Sequence, residues 1–379
     1  MKELILDGRV HVFDGAMGTL LYNRGVFVNI CYDELNVGRP DIVREIHEEY
    51  VAAGAEVLET NTFGANPVKL SSYGLAERTE EINEAAGHLA KQAAGSFAKV
   101  AGAIGPLGIR IEPWGPTARE EAVDFFKRQV AGLVSGGVDG FVLETFSDLT
   151  EIGCAVAAVR ELSDLPIVAQ MTVGRGGKTA YGNDPVQIAQ ELAQHGADVI
   201  GLNCSVGPAV MLDAIEEMAE ATNLPLIAQP NAGLPRTVRD RKIYLASPEY
   251  MAQYARRMID AGARFVGGCC GTTPEHVKQV RNAVTAAQPR HATITPSVNV
   301  HRGEVAREPV PLEARSAWGR KLARGETVVS VEILPPRGWE KSAVVEPARA
   351  LKVAGVDTLA LVDNPRSLSR MGAISAALI

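Results

Sequence analysis

The chain has 379 residues, 46% of them hydrophobic and 22% charged, with a formal net charge of −7. This composition excludes a disordered chain and a strongly basic nucleic-acid-binding surface. No apolar run approaches the roughly 18 residues of a membrane span, and the acidic, Arg-bearing start MKELILDGRVHVFDG does not read as a secretory signal.

Five cysteines are an odd number in a long chain and fit a secreted disulfide framework poorly, so a cytoplasmic location is expected. The length allows two or three domains, although a single barrel can run to about 250 residues or more. In chain order the pattern predicts a strand at Val10–Phe13, then a helix at Pro40–Ala53. A recurring signature follows, in which a helix closes on Gly and leads into a short apolar run that ends in a polar residue. It reads AAGAEVLETN at 52–61, SGGVDGFVLET at 135–145, QHGADVIGLNC at 194–204 and DAGARFVGGCC at 260–270. Strands without the full signature are predicted at Val100–Ile104, Ile167–Met171 and Leu226–Ala228. Helices are predicted between them at Thr79–Ser96, Arg119–Ser135, Leu149–Glu161, Pro185–His195, Pro208–Ala221, Pro248–Ala261 and Pro274–Ala287. Pro after a polar residue marks several helix starts, as in Asp184-Pro185 and Ser247-Pro248. Eight alternating units predict an α/β fold, a closed (βα)8 TIM barrel over residues 1–288. An open doubly wound sheet is the rival, but DGAMGT has the wrong spacing for its phosphate-binding turn.

Residues 289–311 read as a Pro-rich linker. The βα pattern then restarts over 312–379, with a helical segment at Ser316–Arg324, a strand at Val328–Ile333, a helix at Val345–Ala354, a strand at Thr358–Val362 and a last helical stretch. Two strands cannot close a barrel, so this part is expected to be the first βαβ portion of a second, incomplete one.

Chemistry in such barrels sits at the C-terminal strand ends. Those ends carry Asp14, Gly15 and Ala16; Glu59, Thr60 and Asn61; Glu144; Asn203 and Cys204; Gln229 and Asn231; and Cys269 and Cys270. A single free Cys is frequently a plain core residue. Three at one rim, two of them adjacent and flanked by glycines, instead predict an open tetrahedral zinc site, because thiolates disfavour magnesium and calcium. Cys31 and Cys154 are read as packing residues. His47, His88, His195 and His276 fall on helical stretches and are expected on outer surfaces, with no ligand role.

GLNC at 201–204 and GGCCGT at 267–272 resemble the zinc signature of the homocysteine S-methyltransferase family. FDGAMGT (13–19), ETNTFGAN (59–66), GAIGP (102–106), LETF (143–146) and QPNAGLP (229–235) are similar to the homocysteine domain of cobalamin-dependent methionine synthases. The resemblance covers roughly 1–288. It implies a zinc-dependent enzyme with Cys204, Cys269 and Cys270 as ligands, in which zinc-bound homocysteine thiolate is the nucleophile that takes a methyl group to give methionine. It further implies that Asp14 and Glu144 hold the substrate ammonium. Turn amides bind anions, so the Gly15 and Ala16 N–H groups are expected to take its carboxylate. Glu59, Thr60 and Asn61 would network around the mouth, and Asn203 would orient Cys204.

SVEILPPRGWEK (330–341) resembles the first strand of methylenetetrahydrofolate reductases, which implies Glu332 as an active-site acid and FAD as a cofactor only where that module is complete. Known bifunctional proteins join the two modules in this order. No Asp-x-His-x-x-Gly cobalamin motif occurs. The methyl donor therefore stays open between S-methylmethionine, S-adenosylmethionine, a methylcobalamin protein and methyltetrahydrofolate. The alternatives to this enzyme are another barrel enzyme with a structural zinc, and a non-catalytic zinc- or thiol-binding docking module.

Overall fold

The computed structural model describes residues 1–27, 29–238, 241–287, 311–333 and 342–361. The expected linker apart from Pro311, the Pro-Pro turn after Glu332, the stretch 362–365 and the last helical segment lie outside the described residues. The chain divides into two compact units, Met1–Ala292 and Thr293–Ile379.

In the first unit eight strands run parallel. They are β1 (His11–Val12), β2 (Val57–Glu59), β3 (Lys99–Ile104), β4 (Gly140–Phe146), β5 (Ile167–Met171), β6 (Val199–Asn203), β7 (Leu226–Gln229) and, after a small antiparallel pair β8 (Arg236–Val238) and β9 (Arg241–Ile243), β10 (Ala263–Val266). Their order is β1-β10-β7-β6-β5-β4-β3-β2. The two ends meet, because Phe13 bridges Val57 in parallel and the Glu56 N–H donates to the Val12 carbonyl at 2.7 Å. The sheet is therefore a (βα)8 barrel with helices outside it.

The period-two alternation of each strand divides the core. Phe13, Val57, Ala101, Ala103, Val142, Val168, Val199, Ile227 and Phe265 fill the barrel interior. Their neighbours, such as Val100, Ile104, Leu143, Ile200 and Leu202, pack outward under the helices. Met1, with Leu4 and Ile5 of helix Lys2–Leu6, joins the interior cluster. Asp184 caps its helix in a reciprocal box with Gln187, and Ser247 caps Pro248–Asp260.

The recurring Gly-x-acid signature has a mechanical meaning. The acid just before a strand accepts the N–H at the start of the preceding strand, which pins adjacent strands in register. Glu56 accepts from Val12 at 3.2 Å, Asp139 from Val100 at 2.8 Å and Asp198 from Ile167 at 2.8 Å. A base from the helix layer neutralises each acid, namely Arg281, Lys91 and Arg160. At the eighth unit Arg264 takes the acid's position and donates to the Arg9 carbonyl instead. Buried His11 sits between Asp7, at 3.0 Å, and Glu56, at 3.4 Å. Burial opposes its protonation, but the two carboxylates override this and raise its pKa.

In the second unit β11 (Ser330–Ile333) pairs in parallel with β12 (Thr358–Leu361). The same latch appears there. Asp357 accepts the Val329 N–H at 3.0 Å and pairs with Lys321. The helix between these strands spans Ser342–Val353 and contains Pro347.

Several expectations are corrected. His47 and His276 are buried rather than on outer surfaces. Burial pushes the His47 imidazole down to about 4, and His276 is tied to Thr273 and the Ala246 carbonyl. The hairpin β8–β9 has no apolar alternation and gave no strand signal. Cys31 and Cys154 are buried, as expected of packing residues.

Asp139→Ala should lower unfolding free energy by about 1–3 kcal/mol, since it leaves the Val100 N–H and Lys91 without their acceptor. Urea denaturation checks this, and an unchanged midpoint would remove the latch from the account.

Candidate active site

Cys204 follows β6, and Cys269 and Cys270 follow β10. β7 lies between these two strands. The main chain beyond β7 splints the cysteine segments together. The Cys204 N–H donates to the Gln229 carbonyl at 3.1 Å, the Cys269 N–H to the Pro230 carbonyl at 2.9 Å, and the Ala232 N–H to the Cys270 carbonyl at 2.9 Å. The three Sγ atoms consequently lie within 4.8 Å of one another, with Cys204 and Cys270 at 3.7 Å. A tetrahedral zinc with Zn–S of about 2.3 Å requires S···S edges of about 3.8 Å, so the thiols fit that ion. The cluster holds three protein ligands among the described residues, which leaves a fourth position for a ligand from outside. Hydrogen bonds from Cys204 and Cys269 hold Cys270 down near 3, whereas Cys269 is driven up by the same crowding.

Local geometry requires unusual backbone. Gly268 has no room for a side chain, since a Cβ would lie 2.4 Å from Thr272 Cγ2. Gly271, at φ +82°, lies equally tight against Tyr244. Thr145, Cys204 and Ser205 are the non-glycine residues with positive φ among the described ones, at 63°, 58° and 58°. Such conformations cost about 1–3 kcal/mol each and must be held by their surroundings. Asn203 does this. Its Oδ1 accepts the Thr145 N–H at 2.7 Å, and its Nδ2 donates to Thr145 Oγ1 at 2.8 Å and Glu144 Oε2 at 3.1 Å, with Cys269 Sγ at 3.9 Å.

Asp14, Glu59 and Glu144 form the second chemical group of the mouth. Burial raises all three carboxyl pKa values, and mutual repulsion adds to it; Glu59 reaches about 8. Asp14 Oδ2 accepts the Glu59 N–H at 3.0 Å, but its buried Oδ1 has no partner. Glu59 is oriented by a chain from Gln170 through Gln229, whose Nε2 donates to Glu59 Oε1 at 2.9 Å. Crowded buried carboxyls with an orphaned oxygen present a receptor for a cation, because an ammonium permits them to ionise together.

Other expected residues have different surroundings. Thr60 Oγ1 accepts the Ala103 N–H, and Asn61 Nδ2 donates to the Tyr32 carbonyl, so both shape the wall of the mouth. Gly15 packs so closely on Thr272 and Tyr50 that a Cβ would lie 2.6 Å from Thr272 Oγ1. The Ala16 N–H already donates to that oxygen at 3.1 Å. Glu332 is exposed on β11 of the second unit. The sequence places Thr145 at the end of the fourth strand without showing its role, and Tyr244 and Thr272 are not legible as site residues. Tyr244 lies in an irregular segment after β9, and its hydroxyl pKa is raised by burial and by hydrogen bonding to Cys270. Only the GCCGT spacing pointed toward Thr272.

A profile of the homocysteine S-methyltransferase family matches residues 11–284. The methionine synthase of Mycobacterium leprae is 32% identical over 319 residues, covering 78% of this chain and 26% of that protein. The Mycobacterium tuberculosis methionine synthase is 32% identical over 315 residues with the same coverage. The chain thus spans about a quarter of the length of these relatives. Among solved structures, the homocysteine methyltransferase MmuM of Escherichia coli superimposes in its oxidized form with a TM-score of 0.63 at 24% identity, covering 74% of this chain and 98% of that one. Its metallated form gives the same TM-score and identity over 73% of this chain and 97% of that one. At that identity the likeness shows the shared fold.

The chain is expected to bind one equivalent of zinc. Cys204→Ser should abolish tight binding while far-ultraviolet circular dichroism stays native. Asn203→Ala should weaken binding by about 10–100-fold through loss of ligand orientation. Chelator competition measures both, and global unfolding of Cys204→Ser would mark the metal as structural.

Proposed function

The chain belongs to the homocysteine S-methyltransferase family, and on that premise we propose that its barrel transfers a methyl group to the sulfur of homocysteine, giving methionine, at a zinc centre held by Cys204, Cys269 and Cys270. The observation that carries this reading is the juxtaposition, at one barrel mouth, of three convergent thiols with three buried carboxyls. One group suits a soft metal and the other an ammonium, and homocysteine offers a thiol and an ammonium on one short chain. When bound, zinc supplies an open position that takes the substrate thiol and keeps it ionised at neutral pH.

The chain's own residues do the rest. Asp14, Glu59 and Glu144 receive the ammonium and fix the far end of the substrate. Asn203 holds Thr145 and the Glu144 carboxylate and lies against Cys269, so it couples the two halves of the mouth. Tyr244 hydrogen-bonds Cys270 and tempers the charge on that sulfur. In the transfer the sulfur forms a bond to the methyl carbon as the bond from that carbon to its leaving group breaks. The thiol proton goes to solvent on binding.

The second unit supports a further reading as a methylenetetrahydrofolate reductase-like segment, on its parallel strand–helix–strand order and on Glu332 in β11. FAD would be the cofactor of a complete module of that kind.

X-ray absorption of the zinc-loaded chain should show three sulfurs rising to four on adding homocysteine, and methionine should form with one of the four donor classes. No change in coordination would sink the reading, and four sulfurs without transfer from any donor would favour a docking module.

Affinity should also depend on pH. Burial and the Asp14 charge raise Glu59 to about 8, so at lower pH it carries a proton that the substrate ammonium must displace. Homocysteine affinity should therefore rise with pH toward about 8. Glu59→Gln, or 4-mercaptobutyrate, which lacks the amine, should show a shallower rise in calorimetric titrations.

A further inference from the structure

The carboxyl cluster accounts for an ammonium but leaves one charge of the mouth unused. Lys69 lies on helix Pro67–Ser71, which follows β2. Asn66 caps this helix, accepting the Lys69 N–H at 2.9 Å, and its Nδ2 reaches the Pro106 carbonyl at 3.4 Å, which ties the helix to the loop after β3. The Lys69 ammonium stands 4.4 Å from the centroid of the Phe63 ring, and its stem lies along Gly108. Phe63 itself packs on Gly105 at the end of β3, where a Cβ would come within 2.4 Å of the ring. The ammonium therefore stands over the end of β3, between β2, which carries Glu59, and β4, which carries Glu144.

Nothing among the described residues neutralises it at contact distance. The carboxylates whose fields it feels, Asp33, Glu151 and Glu144, are each engaged elsewhere. Asp33 accepts the Gly64 N–H at 2.8 Å, Glu151 the Leu107 N–H at 2.8 Å, and Glu144 the Asn203 amide at 3.1 Å. A half-buried cation held on an aromatic face without a contact anion is costly to keep unless a partner arrives. We propose that Lys69 is an anion-binding positioning residue of the barrel mouth, whose ammonium pairs with a carboxylate carried in by a ligand. With the carboxyl cluster it makes the mouth complementary to both charges of an amino acid. It also supplies a carboxylate partner at a mouth where the Ala16 N–H is already occupied. The inference rests on the homocysteine reading above, and both homocysteine and an amino-acid-bearing methyl donor present the required group.

The test uses the zinc-loaded full chain and isothermal titration with L-homocysteine, with 3-aminopropane-1-thiol, which is the same molecule without its carboxylate, and with S-methyl-L-methionine. Lys69→Met should weaken homocysteine binding by about 10–100-fold, the range of a charge-assisted hydrogen bond, and leave 3-aminopropane-1-thiol unaffected. Lys69→Arg should restore most of the loss. If Lys69→Met weakens S-methylmethionine instead, the carboxylate is the donor's and the assignment of Lys69 stands. Equal weakening of both thiols, or no change in any ligand, overturns it. Wild-type protein that binds neither thiol overturns the homocysteine reading along with it.

Discussion

Everything at the mouth depends on the main chain that continues β7. A metal site shared by two non-adjacent strands needs something rigid between them, and here it is backbone. The carbonyls of Gln229 and Pro230 accept the amides of Cys204 and Cys269, and the Ala232 amide returns to the Cys270 carbonyl. These bonds continue the parallel ladder past the point where the strands end. The sulfurs thus inherit the precision of the sheet, which loops of this length would not supply by themselves.

The two ends of the barrel divide the work. At the N-terminal end, acids latch neighbouring strands and are neutralised by bases from the helix layer. Charges there are paired and serve stability. At the other end, charges are left in tension. Asp14, Glu59 and Glu144 crowd one another, and Thr145, Cys204 and Ser205 occupy left-handed backbone. Asn203 bridges the strained residue Thr145, near the end of β4, and the cysteine segment, which explains why one amide can couple the carboxyl group to the thiol group.

How far the sequence could be read follows from what each feature requires. The strands were legible because burial on both faces demands short Val, Ile, Leu and Ala runs, and Gly before them supplies the left-handed cap. Arg119–Ser135, Pro208–Ala221 and Pro274–Ala287 fall where the helical pattern places them. The buried His47 was misplaced because a lone polar residue on an amphipathic helix does not declare which side of the boundary it occupies. β8–β9 escaped because each strand is three residues long with a single apolar residue, too short to show a hydrophobic period. Tyr244 and Lys69 escaped because their importance lies in what faces them.

By itself the sequence determined the alternation of strand and helix, the closure into eight units, and the rim on which Cys204, Cys269 and Cys270 and the three carboxyl residues would stand. These are consequences of periodicity and parity along one chain. Only the tertiary structure decided that the thiols come within 4.8 Å of one another, that Asp14 keeps an unpartnered oxygen, that the Ala16 amide is occupied, and that the Lys69 ammonium stands over β3 with no contact anion among the described residues. The reason is that hydrogen bonding and desolvation act between residues far apart in the chain, and no local pattern records which partner each polar atom finds.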